Sequence, residues 1–450
     1  MFSVLFLKSE VNIVKSAAKL YDVIQTRPMP KSLKKMWKFL GSGFRTGAAD
    51  DDPSGVATYT ITGARTGFNF LWVMVFVVPL MTAIQEMSAH IGALSGCGLA
   101  GNIKKHYPKW LLGVASLTLV GANVLNIGAN ISGMSGAVNL VLPIRIEVLA
   151  AIVSAAVIFI TIRFSYRKIA SILNWLALSL FAYVLTFFLI SSDLKGVWLE
   201  ILKNGLIPHL PLDKNSLVVL FALLGTTISP YLYFWQASEE AEETREVRHH
   251  IKICRFRSVS EKRLGQIDAD TRFGMFFSNF VAFFIIALSA VTMHQAGIFN
   301  VETLRQAAEV LEPLAGQYAY MLFMIGLLSS GLLSIPVLAG SAAYVLSEVF
   351  NWPASLDKKF HQARQFYVVL SGAVLIGLAM SFVGISPVKA LFYSALVNAA
   401  VSPLLIILII HMAHNPKIVG ANRVRPVVSA LGYIGFLIMT VGTAFFMLTL

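Results

Sequence analysis

Hydrophobic positions fill this chain in long blocks, most of them extensive enough to cross a bilayer, which takes roughly 20 apolar residues. Eleven such blocks lie near 41–66, 69–92, 110–139, 146–163, 167–192, 214–242, 270–294, 317–347, 362–384, 388–412 and 427–449. Two of them are interrupted by polar residues at matching places. The first runs through Thr46-Gly47-Ala48-Ala49-Asp50-Asp51-Asp52-Pro53-Ser54-Gly55-Val56, and the sixth through Leu224-Gly225-Thr226-Thr227-Ile228-Ser229-Pro230-Tyr231. A proline in a spanning helix frees a carbonyl of the preceding turn, which then needs another partner. Interrupted helices in corresponding positions of two halves mark the central site of a transporter.

The pattern predicts an all-α integral membrane protein with about 11 transmembrane helices. Spans 1–5 and 6–10 are similar in size, and Pro53 and Pro230 lie 177 positions apart. Five is odd, so the second half starts from the opposite side of the membrane. The expected architecture is a leucine-transporter-type inverted 5+5 repeat with broken helices 1 and 6. It divides the chain into a basic tail over 1–40, a first repeat over 41–192, an inverted repeat over 214–412 and an extra helix over 427–449.

Composition agrees, with 56% hydrophobic and 13% charged residues in 450, far from a soluble domain. The net charge of +13 is sided, which argues against nucleic acid as a partner. Of 36 Lys and Arg, 29 fall in the N-terminal tail and the alternate connections that share its side. The positive-inside rule then puts the N-terminus in the cytoplasm and the C-terminus outside, in a plasma (inner) membrane. The tail reads as a cytoplasmic segment, lying on anionic lipid or disordered. Cys97 and Cys254 both fall on the cytoplasmic side, so no disulfide is expected. The longest connection, Glu239 to Arg272 with its 243–266 loop, carries 8 acidic and 8 basic residues. It reads as a solvated helix end plus loop, or as a vestibule that attracts cations.

Three consecutive aspartates in a span are costly unless they face a cavity or an ion. An unwound stretch around Asp50, Asp51, Asp52 and Ser54 offers carboxylate and carbonyl oxygens together. Thr226, Thr227 and Ser229 add hydroxyls and carbonyls. Neither break carries an imidazole, thiolate or thioether, and hard oxygen donors suit Mg²⁺, Ca²⁺ and Mn²⁺. The blander reading of the aspartates is a helix cap, and of the hydroxyls helix packing or bonding to the preceding turn. In span 3, Asn123, Asn126 and Asn130 share one helical face, as a polar lining or as interhelical hydrogen bonds. Glu86 and Asn398 are further polar groups inside spans. His90, His294, His411 and His414 lie near span ends and read as interfacial.

Asp52-Pro53-Ser54-Gly55 resembles the Asp-Pro-Gly-Asn signature of the NRAMP divalent-metal transporters. Ser229-Pro230-Tyr231 sits where that family has Met-Pro-His, and Gln85-Glu86-Met87-Ser88-Ala89-His90-Ile91-Gly92 is similar to its second-span ending. The departures resemble the divergent branch of NRAMP-related magnesium transporters. The resemblance implies that Asp52 is kept as a ligand, with Asp51 next. It implies that Gly55 replaces a ligand Asn, Ser229 a ligand Met and Tyr231 a His, and that Thr226 supplies the carbonyl. Loss of the thioether removes a preference for transition metals, and fewer ligand side chains suit a partly hydrated Mg²⁺.

The expected function is alternating-access transport of Mg²⁺, and of Mn²⁺ with it, without proton coupling. The acidic relay that the parent family carries in span 3 is replaced here by asparagines. Asp50, Gly55, Tyr231, Asn123, Asn126, Asn130, Glu86 and Asn398 are assigned to the pathway or to support of the ligands. One alternative is a proton-coupled Mn²⁺/Fe²⁺ symporter of the parent type. Another is a Na⁺-coupled amino-acid symporter, disfavoured because the aspartates repel a carboxylate. No constellation supports an enzyme. The expected partners are the metal ion and the lipid bilayer, with no prosthetic group and no obligate protein partner.

Overall fold

A computed structural model describes residues 41–164, 178–190, 194–209, 213–246, 259–356 and 358–449. The basic tail over 1–40 and most of the 243–266 loop lie outside these residues. The described residues form helices joined by turns and loops, with no strand among them. Eight helices are long and apolar enough to cross a membrane. The difference from eleven has three sources. The first span is split into pieces of 9 and 14 residues, the ninth is a 17-residue helix, and the fifth is described only in part.

The first span comprises α1 (Ser42–Asp50) and α2 (Pro53–Thr66), followed by α3 (Leu71–Ser95) and the short α4 (Leu99–His106). The chain continues through α5 (Lys109–Val141), α6 (Ile146–Arg163), α7 (Phe181–Ile190) and α8 (Leu194–Glu200). The sixth span is α9 (Lys214–Thr227) and α10 (Pro230–Glu246). Then come α11 (Glu261–Ser289), α12 (Leu304–Glu309), α13 (Glu312–Ala315), α14 (Ala319–Phe350), α15 (Arg364–Met380), α16 (Pro387–Ala413), α17 (Pro416–Val419) and α18 (Pro426–Thr449).

Both expected breaks are present, at Asp51–Asp52 and Ile228–Ser229. Pro53 and Pro230 do not kink a continuous helix. Each is the first residue of the second half-helix, where the missing N–H costs nothing and the fixed φ suits the turn. The core lies where α5 packs against α14, α15 and α16, and where α11 packs against α1, α2 and α3. Two contacts depend on glycine. A Cβ on Gly47 would stand 2.2 Å from the Gly274 carbonyl oxygen, and one on Gly225 would stand 2.1 Å from that of Ala395. The backbones of α1 and α11, and of α9 and α16, therefore touch directly, as small residues allow between membrane helices.

Cys97 is buried just beyond the end of α3. Cys254 lies outside the described residues.

Candidate functional site

Asp52 joins the two readings that the sequence left apart. It is the N-cap of α2, and its Oδ1 accepts from the Gly55 N–H at 2.8 Å and from the Ser54 hydroxyl at 2.8 Å. Its Oδ2 faces α5 and accepts from the Asn130 amide at 2.9 Å and the Asn126 amide at 3.3 Å. A carboxylate has about four acceptor sites, so protein donors engage every one. Asp50 and Asp51 are held differently. The Ser278 hydroxyl of α11 lies 2.7 Å from Asp50 Oδ2 and 3.1 Å from Asp51 Oδ1.

All three aspartates are 1% exposed. Among the described residues, no Lys, Arg or His forms an ion pair with any of them. An unpaired buried carboxylate carries a desolvation cost of several kcal/mol. A bound cation would supply the missing counter-charge. Among the described residues, no three His, Cys, Asp or Glu side chains converge as a ready metal cage.

The sixth span faces this set from the other side. Thr227 donates its hydroxyl to Leu223 O at 3.0 Å, and Ser229 donates to Thr226 O at 2.8 Å. Both hydroxyls thus close the last turn of α9. Their donors are used, while their oxygen lone pairs and the carbonyls at this negative helix end remain the groups that a cation could meet. Ser402 of α16 donates to the unwound Ile228 carbonyl at 2.9 Å. Tyr231 donates to Ala49 O at 3.1 Å and so ties the start of α10 to the end of α1. A Cβ on Gly55 would lie 3.3 Å from the Tyr59 ring and 3.4 Å from Thr226 Oγ1. The two breaks therefore meet at Gly55, and Tyr59 and Thr226 occupy the space next to it. Among the described residues, several buried polar atoms have no hydrogen-bond partner, namely Asp50 Oδ1, Asn126 Oδ1, Asn130 Oδ1 and Asn398 Nδ2.

Other predicted residues lie elsewhere. Asn123 shares the helix face of Asn126 but gives its amide to Leu338 O at 2.9 Å and Ser341 Oγ at 2.6 Å on α14. Glu86 pairs with Arg272 Nε at 2.7 Å and Arg425 Nη2 at 3.3 Å. Arg425 also binds Asp268, which meets His90, so Glu86 is part of an ion-pair network among α3, α11 and the approach to α18. Ser278, Ser402 and Arg45 were missed. Ser278 left a signal, a polar pair in Phe276-Phe277-Ser278-Asn279-Phe280.

Beside Pro53, the apolar side chains of Val56, Leu304, Phe323 and Val388 line a pocket too narrow for a water molecule. Toward the Ser42 end, α1 is fastened in place. Arg45 binds Glu239 at 3.0 Å and Glu243 at 3.5 Å, Ser42 donates to Glu240, and the Gly43 N–H donates to Asp270 Oδ2 at 2.8 Å.

A family model described as natural resistance-associated macrophage protein-like matches residues 43–449. The chain is 26% identical to the divalent metal cation transporter MntH of Deinococcus radiodurans, over 76% of this chain and 77% of that one. It is 25% identical to MntH of Aeromonas hydrophila, over 87% and 91%. Among solved structures, a manganese transporter of Eremococcus coleocola matches with a TM-score of 0.70 at 18% identity, over 92% of this chain and 87% of that one. MhsT in complex with L-phenylalanine matches with a TM-score of 0.56 at 14% identity, over 89% and 98%. These two likenesses bear on the fold. The match to the family model across nearly the whole chain places this protein in the Nramp family.

Proposed function

We propose that this protein carries Mg²⁺, and Mn²⁺ with it, across the membrane by alternating access and without proton coupling. The observation that supports the reading best is the donor set where the two broken helices meet. Asp50, Asp51, Asp52, Ser54, Thr226, Thr227 and Ser229 offer oxygen alone, and among the described residues no basic side chain pairs with the carboxylates. Oxygen donors without thioether or imidazole lack the softer ligands that add a preference for transition metals over Mg²⁺. Asparagines stand beside Asp52, where an acidic relay would make a proton path. The relatives named for divalent metal transport support the broader class of cargo. The two five-span halves would rock about the site, with the N-terminus inside and the C-terminus outside as the charge bias indicates. The Arg65 end is then the outer gate, and the seating of α1 on α11 the inner one.

The test is uptake of Mg²⁺ and Mn²⁺ by proteoliposomes at fixed voltage, with Asp52→Asn as the control. Uptake of both ions by the wild type and of neither by the variant is the expected result. Uptake of Mn²⁺ alone would contradict the Mg²⁺ reading.

A further inference from the structure

Ser278 is fully buried at 0% exposure, and its one hydroxyl touches two carboxylates. A serine has a single proton to donate. It cannot satisfy Asp50 and Asp51 together, but it fixes where their oxygens stand. Asp52, in contrast, has its acceptor sites engaged by Ser54, Gly55, Asn126 and Asn130. The acceptor capacity left over is on the neighbouring pair, and among the described residues Asp50 Oδ1 is buried without a hydrogen-bond partner. Asp50 also ends α1, where the helix dipole adds negative potential and favours a cation.

Three successive turns of α11 carry α1. Asp270 accepts from the Gly43 N–H, the Gly274 backbone packs on Gly47, and Ser278 meets Asp50 and Asp51. The orientation of the carboxylate pair is thus referenced to α11. Separation of α1 from α11 breaks the Ser278 bridge at the same moment.

We propose that Ser278 is a positioning residue for the transported cation. It orients Asp50 and Asp51 so that their free oxygens add to the charge presented by Asp52, and it releases them when α1 leaves α11. The inference rests on the transport reading above. Affinity is therefore high while α1 is seated and falls as it departs.

The experiment compares wild type, Ser278→Ala and Ser278→Cys by two readouts, Mg²⁺ uptake kinetics in proteoliposomes and Mn²⁺ binding to the purified full chain. Cysteine is close in size but a weak donor. Loss of a hydrogen bond to a charged group is expected to raise KM and the Mn²⁺ Kd about tenfold in the alanine variant. A smaller rise is expected in the cysteine variant, with maximal rate within about twofold of wild type in both. A role in packing alone would lower the maximal rate and leave KM and Kd unchanged, and that result overturns the proposal. Wild-type KM and Kd in either folded variant also overturns it. If the alanine variant fails to fold, the cysteine variant decides. If the wild type binds Mn²⁺ but moves no divalent ion, the transport reading fails, and the Kd values still judge Ser278.

Discussion

Asn130 donates its side-chain amide to Asp52 Oδ2 at 2.9 Å, across the gap between α5 and the first broken helix. A neutral amide here holds the carboxylate without competing for its charge or offering a proton. With Asn126 at 3.3 Å it turns one face of α5 into the support of the candidate ligand.

Asp52 is expected to carry both structure and charge. Asn is as good an N-cap as Asp, whereas Ala at such a position costs about 0.5–2 kcal/mol. Asp52→Asn should therefore remain folded by size-exclusion chromatography and lose divalent uptake. Near-normal uptake by that variant would remove Asp52 from the ion path.

Asn130→Asp should make transport depend on pH. Two carboxylates in contact cannot both ionise readily, so the pair holds one proton as the pH falls. Uptake by the variant should be poor at pH 8 and recover toward pH 6, as one shared proton restores the original charge. A flat profile would show that Asn130 does not sense the charge on Asp52.

Ser229→Met should raise the ratio of Mn²⁺ to Mg²⁺ transport. The substitution adds a soft thioether and frees the Thr226 carbonyl from its 2.8 Å hydrogen bond with Ser229. A larger side chain at a buried position can cost about 1–3 kcal/mol, so rates are compared as a ratio within each variant. An unchanged ratio would sink the selectivity reading.

Gly47→Leu should weaken the seating of α1, since even a Cβ would stand 2.2 Å from the Gly274 carbonyl oxygen. The expected results are a lower melting temperature and a lower maximal rate. A variant that melts and transports like wild type would show that α1 can shift from α11 at no cost.

Much of this was legible in the sequence. The breaks were visible because Asp52-Pro53 and Ser229-Pro230 put charge and proline inside apolar blocks, where few other arrangements survive. The asparagine stripe was visible through its spacing. Its division was not, because Asn123 and Asn126 point to different neighbours, α14 and Asp52, and helical period says nothing about neighbours. Glu86 read as an ion-path candidate because its partners Arg272 and Arg425 lie 186 and 339 positions away. Ser278 was missed for the same reason, since its two aspartates are more than 200 positions distant. The cap and ligand readings of Asp52 looked like alternatives in one dimension, yet one carboxylate has oxygens enough to cap α2 and to face α5.

The central claim is that an oxygen-only site passes Mg²⁺ on voltage alone. A potential of 100 mV is worth about 2.3 kcal/mol per elementary charge, hence roughly 4.6 kcal/mol for a divalent ion, more than a thousandfold in equilibrium ratio. The most direct measurement loads proteoliposomes with a pH-sensitive dye, clamps the potential negative inside, and follows Mg²⁺ and Mn²⁺ uptake together with lumenal pH. The account predicts uptake of both ions with no metal-dependent acidification. Uptake of Mn²⁺ without Mg²⁺, accompanied by acidification in fixed ratio to the metal, would contradict it.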